Sequence, residues 1–544
     1  MVHRWMPLRS AEGARARRQL AAVAVVLVGL TGLPVLLSPE VPPLDLANHL
    51  GRIYILSRLG EDAGLRALYD VAWQPTPNLA ADLLLTPLLR WIEPRLALRL
   101  FCGVSLLVVA AAFAAVCRVG RGRWDAAALL GVPLSHGLAF NYGFINYHWG
   151  IAAALGSYAV WLRLYAPRPT VAAVATVVPL ALITYLMHLV GFGTLVVATS
   201  ASVVADALGR LRQPGVERRT VLLDLLGHAA GVALMATPPL VLYWIFSRGA
   251  VGAQGLGAGV IWTAPRDKVL GILRVLRAGR PLTDLPLLGL VAAASLVGLG
   301  RARRGLSAAR RRVLAAGAAL LLLALALPSA FDLETADIDL RVALPALLLG
   351  IAALAELPER PAWRRAALGL LVVATALRGA GALARWRLAS EGIADSRALC
   401  DVLPAGARVV TLHNEVPPPG EVEHEAGERH GWAYCLLRRP LFFPALFHQP
   451  GSQPLRLRLP AYEGDGSLAR YHVRNGFSNP QQAHQIPWAE LWRLSDYLWL
   501  SNWELSQADP AQRLPRGCVE EVGRRRRVVV YRFRRGGGCP LTLQ

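Results

Sequence analysis

Charge is scarce in this sequence and lysine is nearly absent. Of 544 residues only 17% are charged, against 54% that are hydrophobic. The mean hydropathy of +0.39 is too high for a soluble chain of this length, so the bilayer has to serve as its solvent. Lys268 is the single lysine, and the net charge of +22 rests on arginine. In a soluble protein that excess would point to nucleic acid. Here the arginines collect in short runs between apolar segments, the pattern of orientation signals, and nucleic acid is not expected as a partner. Cysteine is sparse as well: six residues, with no C-x-x-C pair, exclude a disulfide scaffold and a cysteine-based metal or redox motif. Cys102 and Cys117 lie in an apolar segment and read as small buried hydrophobes. Cys400, Cys435, Cys518 and Cys539 lie in the polar C-terminal part, where a disulfide is expected if that part is outside the cytoplasm, with partners that spacing does not assign. A small-x-small cleavage site is also missing after the apolar run Leu20 to Leu37, which follows Arg4, Arg9, Arg15, Arg17 and Arg18. That run reads as an uncleaved first transmembrane helix.

What is abundant is apolar sequence in lengths that span a membrane. Windows of roughly 17 to 25 apolar residues fall near 20–38, 97–117, 124–140, 146–164, 170–187, 189–208, 220–246, 282–300, 312–330, 340–357 and 364–385. About eleven helices are therefore expected. The N-terminal arginines, Arg118/Arg121/Arg123, Arg163/Arg168, the cluster Arg210 to Arg219, the cluster Arg301 to Arg312 and Arg360/Arg364/Arg365 fall on alternate loops. By the positive-inside rule those loops face the cytoplasm. The expected organisation is a cytoplasmic N-terminus (1–19), a membrane domain (20–387) with a first outer loop (39–96), and an outer soluble α/β domain (388–544). In that last part "ARVVTLHNE" and "RRRRVVVYRFRR" read as strands, and "WAELWRLSDYLWLS" as a helix feeding a strand. The stretch Pro77 to Pro94 is apolar but short and broken by Pro87, and reads as an interfacial helix of the first outer loop.

The polar residues of the outer side gather in a few turns. In "PPLDLANHLGRIY", Asp45, His49 and Arg52 stand at i, i+4 and i+7 with Asn48 beside them, so they share one face of a helix over Leu44 to Leu59. The plain reading is a solvated helix with Asp45 stabilising its N-terminal dipole. The turn "SHGLAFNYGFINYHWG" carries His136, Asn141, Tyr142, Asn146, Tyr147 and His148; His188 separates two apolar runs; and Asp332, Glu334, Asp337 and Asp339 precede Arg341. The aromatics also suit an interfacial belt, and Arg341 suits either an i, i+4 pair with Asp337 or a phosphate at headgroup level. The apolar runs have few central charges, which differs from the buried mid-membrane sites of transporters.

"PPLDLANHLGRIY" in the first outer loop, "PNLAADLLL" after it, the "FNYGFINYHWG" turn and the exit into an outer domain together resemble bacterial members of the GT-C superfamily of integral membrane glycosyltransferases. The likeness covers roughly residues 20 to 385. It implies transfer of a sugar, hexose or pentose, from a polyprenyl-phosphate donor to a lipid, glycan or protein acceptor at the outer face of the bacterial inner membrane. It also implies a catalytic carboxylate in the first outer loop, the place Asp45 occupies. Such a carboxylate can serve as general base toward an acceptor hydroxyl, and the leaving phosphate needs a cation. Arg52 and Arg341 are the first candidates, with Arg266 and Lys268 behind them. Asp82 could supply the second acid that many relatives carry, since Leu46 follows Asp45 here, and His49 could assist the base or contact the phosphate. Asn48, Asn141, Tyr142, Asn146, His148 and His188 are candidate substrate contacts. The resemblance leaves a divalent ion, Mg or Mn, undecided, and no tight metal motif is present. Two other readings stand beside it: a non-catalytic scaffold that binds a partner through its C-terminal domain, and a flippase of lipid-linked glycans. The stretch His430 to Gly451 carries aromatic and basic residues suited to carbohydrate, though ordinary burial preferences favour a hydrophobic core strand with a surface loop.

Overall fold

The computed structural model describes residues 11–164, 170–247, 260–303, 305–330, 337–413, 429–448, 451–459, 488–501 and 517–535. Cys539 and the acids Asp332 and Glu334 lie outside the described residues. The chain opens with α1 (Ala11–Leu37), α2 (Leu46–Arg58), α3 (Ala63–Leu68), α4 (Ala80–Leu88) and α5 (Pro94–Arg121). Long helices follow at Ile145–Leu164, Val171–Met187, Leu189–Leu211, Arg218–Phe246, Pro281–Ala302, Ala308–Ala326, Ile338–Leu354 and Pro361–Ala398.

Among the described residues six helices are long and apolar enough to cross a membrane, with α1, α5 and the helix Pro361–Ala398 among them. The count expected from sequence is thus met in part. Ile145–Leu164 is diluted by Asn146, His148 and Trp149, Ile338–Leu354 has 17 residues, and Ala308–Ala326 starts on three arginines. The expected span at 124–140 is broken into short turns of helix at Ala126–Leu130, Gly131–Ser135 and Leu138–Asn141. α4 has nine residues, about 14 Å at 1.5 Å per residue, too short to span, and Trp91 just beyond it is 87% exposed.

Along the bundle, the arginine-rich loops converge on one end. Arg121 pairs with Asp125, Arg301 and Arg310 share Glu356, Arg312 holds Asp206, and Arg210 holds Asp224. At the opposite end α1 terminates against Arg99, which donates to the carbonyls of Val35, Leu36 and Ser38. These carbonyls have no partner within the helix, and a cation suits the negative end of its dipole. Glu40, 4% exposed, then ties that end to two other helices by accepting from Arg95 and Arg397.

The segment between α1 and α5 and the C-terminal part share one hydrophobic core. Leu46, Leu50 and Ile53 of α2, Tyr69 and Leu85 pack in one cluster with Trp386, Cys400, Val409, Trp432, Phe442 and Val528. β1 (Tyr69–Val71) pairs antiparallel with β3 (Leu455–Leu457). β2 (Val409–His413) runs parallel to β4 (Tyr497–Ser501), and β4 and β5 (Val519–Arg525) flank β6 (Val528–Phe533) antiparallel, giving the order β2-β4-β6-β5. β2, β4, β6 and the helix Trp488–Leu494 stand where β-branched content and periodicity place them, whereas β1, β3 and β5 are not expected from the sequence. Cys400 and Cys435 form a disulfide, Cys518 is disulfide-bonded too, and Cys102 and Cys117 are free and buried.

Candidate functional site

Asp45 sits where three parts of the chain meet. Pro42 and Pro43 deliver an extended segment, and the backbone N–H groups of Leu44 and Asp45 donate to the carbonyls of Asn141 and Tyr142. Gly143 makes that approach feasible. Its φ is +76°, and a Cβ there would lie 2.7 Å from the Asp45 nitrogen, closer than any side chain tolerates. On the other side α2 lies against the turn of 3-10 helix Gly431–Leu437, with Gly51 facing Ala433 and Leu436.

At the start of α2 Asp45 has helical backbone angles, and its side chain caps nothing. Conventional capping needs a non-helical backbone at that position, so the carboxylate is left to other partners. Its partner is His430, whose Nε2 lies 3.5 Å from Oδ1, and the Asp45 side chain stays 20% exposed. Burial pushes the Asp45 carboxyl up, but the His430 hydrogen bond and the electrostatic pull of His430, Arg429 and His49 outweigh it and hold the group below its ordinary value. Burial pulls His430 in the direction of the neutral imidazole, against the pull of Asp45. Asn48, fully buried, accepts from the Phe447 N–H through Oδ1 and donates through Nδ2 to the Ala445 carbonyl. The same Nδ2 lies 3.4 Å from His430 Nδ1. With its amide orientation fixed by two backbone groups, Asn48 presents a donor to Nδ1, which leaves the imidazole proton on Nε2, facing Asp45.

Arg341 supplies positive charge on the open side. Its guanidinium lies 4.0 Å from the Phe144 ring centroid and interacts electrostatically with both Asp45 and Asp337. Its Nε is buried without a hydrogen-bond partner among the described residues. Tyr147 donates to the Arg341 carbonyl and packs against the edge of the His188 ring. His188 Nδ1 in turn accepts from the Val190 N–H. His49 is pushed down to about 3 by burial and by Arg52. Its ring meets Phe447 edge-on, and Nδ1 has no partner among the described residues.

The structure gives several of the other candidates definite partners. Arg52 and Asp82, expected to serve as phosphate cation and second acid, bind each other through two hydrogen bonds of 2.9 and 2.8 Å, both side chains 0% exposed. This pair joins α2 to α4. Asn146 accepts from the Ala81 N–H and donates to the Asn78 carbonyl, positioning the start of α4. Asn141 accepts from Trp386 and donates to the Ala278 carbonyl, with His136 Nε2 3.1 Å from its Oδ1. His148 Nε2 bonds the Ser135 carbonyl, and Tyr142 packs on Phe144. Lys268 is buried near Trp262, donating to the carbonyls of Leu325 and Leu327, 3.8 Å from Asp339. Arg266 is exposed at the start of the helix Pro265–Arg274. Among the described residues no three His, Cys, Asp or Glu side chains converge as a metal ligand set. Asp82, the second acid a Mg or Mn ion would need, is taken up by Arg52. Sequence reasoning did not assign His430 or Phe447 to this site. Both fall in the stretch noted as suited to carbohydrate, but nothing local in the sequence connects them with Asp45.

No protein-family model and no curated protein matches the chain. Solved structures do. The apo crystal structure of ArnT from Cupriavidus metallidurans aligns with a TM-score of 0.54 and 13% identity over 96% of this chain and 98% of that one. The fold is that of ArnT. A crystal structure of ArnT bound to undecaprenyl phosphate aligns at 0.46 and 14% over the same shares. At 13% identity the likeness to the apo structure is one of fold.

Proposed function

We propose that the chain is a membrane glycosyltransferase that moves a sugar from a polyprenyl-phosphate donor to a lipid, glycan or protein acceptor, with Asp45 as general base and Arg341 as the cation for the leaving phosphate. One observation carries the reading. A carboxylate held ionised, partly exposed and anchored at one oxygen stands within electrostatic reach of the half-buried Arg341 guanidinium. Asp45 takes the proton of the acceptor hydroxyl while the hydroxyl oxygen bonds to the anomeric carbon. The bond from that carbon to the phosphate oxygen breaks with its electron pair left on the phosphate, where Arg341 meets the developing charge. His49, neutral and unpartnered beside the base, is available to the acceptor as a hydrogen-bonding group.

Topology supports an outer-face reaction. The site lies at the bundle end opposite the arginine-rich loops, which the positive-inside rule assigns to the cytoplasm. The Cys400–Cys435 disulfide on the site's own flank belongs to an oxidising compartment. We therefore place the chain in a bacterial inner membrane, with the C-terminal part on the periplasmic side. The test is turnover of two synthetic polyprenyl-phosphate donors, one carrying a hexose and one a pentose, by the purified chain with total membrane lipid as acceptor. Release of polyprenyl phosphate by the parent and its loss in Asp45→Asn supports the reading. Undiminished release by Asp45→Asn removes Asp45 as base.

A further inference from the structure

The geometry points to His430 as the positioning residue for Asp45, with Asn48 fixing its tautomer, so that the C-terminal part completes the site built by the first outer loop. This inference rests on the function proposed above and extends it to a residue the GT-C resemblance does not supply.

The backbone of Asp45 is anchored to the turn at Asn141–Tyr142, but that bond leaves the side chain rotatable. Two partners compete for the carboxylate: the neutral imidazole of His430 at 3.5 Å and the guanidinium of Arg341, whose charge it feels, with the charge of Arg429 acting on it as well. An ion pair with Arg341 would remove both the base and the phosphate cation from the reaction, because attraction between full charges in a partly buried site exceeds that of a neutral hydrogen bond. A neutral His430 with its proton on Nε2 binds one carboxylate oxygen without neutralising the group. The other oxygen is left for the acceptor hydroxyl. This arrangement depends on the Asn48 amide, which meets Nδ1 as a donor and is itself oriented by the Ala445 carbonyl and the Phe447 N–H.

His430 is independently well supported, which separates its role from folding. It precedes the turn Gly431–Leu437, whose Cys435 is bonded to Cys400 and whose Trp432 donates to the Arg429 carbonyl. Its ring touches Trp432 and Phe447 only edge-on, at 5.9 and 5.8 Å between centroids. Truncation there removes little packing.

The experiment compares the parent, His430→Ala, His430→Gln, Asp45→Asn and the double variant Asp45→Asn/His430→Ala. Each is assayed for release of polyprenyl phosphate from the two synthetic donors, with thermal unfolding measured in parallel. His430→Ala is expected to lower kcat by about 100-fold, the cost of misplacing a reacting group by about 1 Å, with the acceptor KM and the unfolding midpoint close to the parent's. Gln, which keeps an N–H donor near Nε2, should restore most of the loss. The double variant should be no slower than Asp45→Asn alone, since His430 acts only through the carboxylate. A kcat for His430→Ala within about twofold of the parent, alongside an inactive Asp45→Asn, overturns the positioning role and leaves the proposed function standing. A loss that Gln does not relieve and that tracks a lowered unfolding midpoint assigns His430 to the fold instead and also overturns it. Full activity of Asp45→Asn, or no turnover of either donor by the parent, overturns the proposed function and this inference with it.

Discussion

The two ends of the helical bundle treat their carboxylates differently. At the arginine-rich end, Asp125, Asp206, Asp224, Glu356 and Glu359 each meet an arginine at 2.6 to 3.1 Å. At the other end Glu40 is held by two arginines and Asp82 by both arms of Arg52, yet Asp45 meets a histidine at 3.5 Å and keeps part of its surface open. A carboxylate bound at both oxygens by a guanidinium and fully buried with it, as Asp82 is, is closed to a substrate. Asp82 is therefore spent on joining two helices, whereas Asp45, partly exposed with a neutral partner, is the acid left available for the proposed chemistry.

The comparison breaks first at Asp45. Asp45→Asn should cost 10²- to 10⁴-fold in turnover, the range for a positioned general base, while the same change at Asp125 should leave turnover near the parent's; both are read from polyprenyl phosphate release. Next, Arg52→Ala leaves Asp82 buried and unpaired and should destabilise by about 3–5 kcal/mol. Replacing both partners, as in Arg52→Met/Asp82→Leu, should recover most of that, and denaturant unfolding in detergent compares the three. An unchanged unfolding midpoint in Arg52→Ala would show that the pair does not join α2 to α4. Gly143→Ala should both strain a φ of +76° and press on the Asp45 nitrogen, lowering kcat and stability together by about 1–3 kcal/mol each.

A smaller effect lies in the pH profile. Asp45 is the active form when ionised, so activity is present above its folded pKa and is lost as pH falls through it. Because His430, Arg429 and His49 hold that pKa below the ordinary value against burial, and the charge of Arg341 also faces the group, the acid limb of kcat/KM should lie below the usual carboxylate range of about 3.9. In His430→Ala the hydrogen bond is gone and burial remains, so the limb should move to higher pH. A limb that stays in place would mean that His430 does not govern the carboxylate. Smallest of all, Arg123→Ala at the far end removes an exposed pair with Glu359 and should change stability by no more than about 1 kcal/mol.

Much of this was legible in the sequence because it is local. Apolar run length marks helices, β-branched stretches mark β2, β4 and β6, and i, i+4 spacing puts Asp45 and His49 together. The helix of the first outer loop begins at Leu46, close to the expected start, and α4 is as short as Pro87 suggested. The Arg52–Asp82 pair was not legible: both residues were sound candidates singly, and only the packing of α2 on α4 spends one on the other. Nor was His430, since its approach to Asp45 depends on α2 docking against the Gly431–Leu437 turn, a contact between opposite ends of the chain that no periodicity encodes. The break at 126–141 was hidden for a similar reason, its composition being apolar enough for a continuous helix.

The most direct test of the account is a structure of the chain with polyprenyl phosphate bound. The phosphate is expected on the Arg341 guanidinium, with the Asp45 carboxylate still bonded to His430 and its other oxygen facing the space beside the phosphate. A phosphate seated on Arg266 or Lys268 instead, with Asp45 turned away from it, would contradict the account.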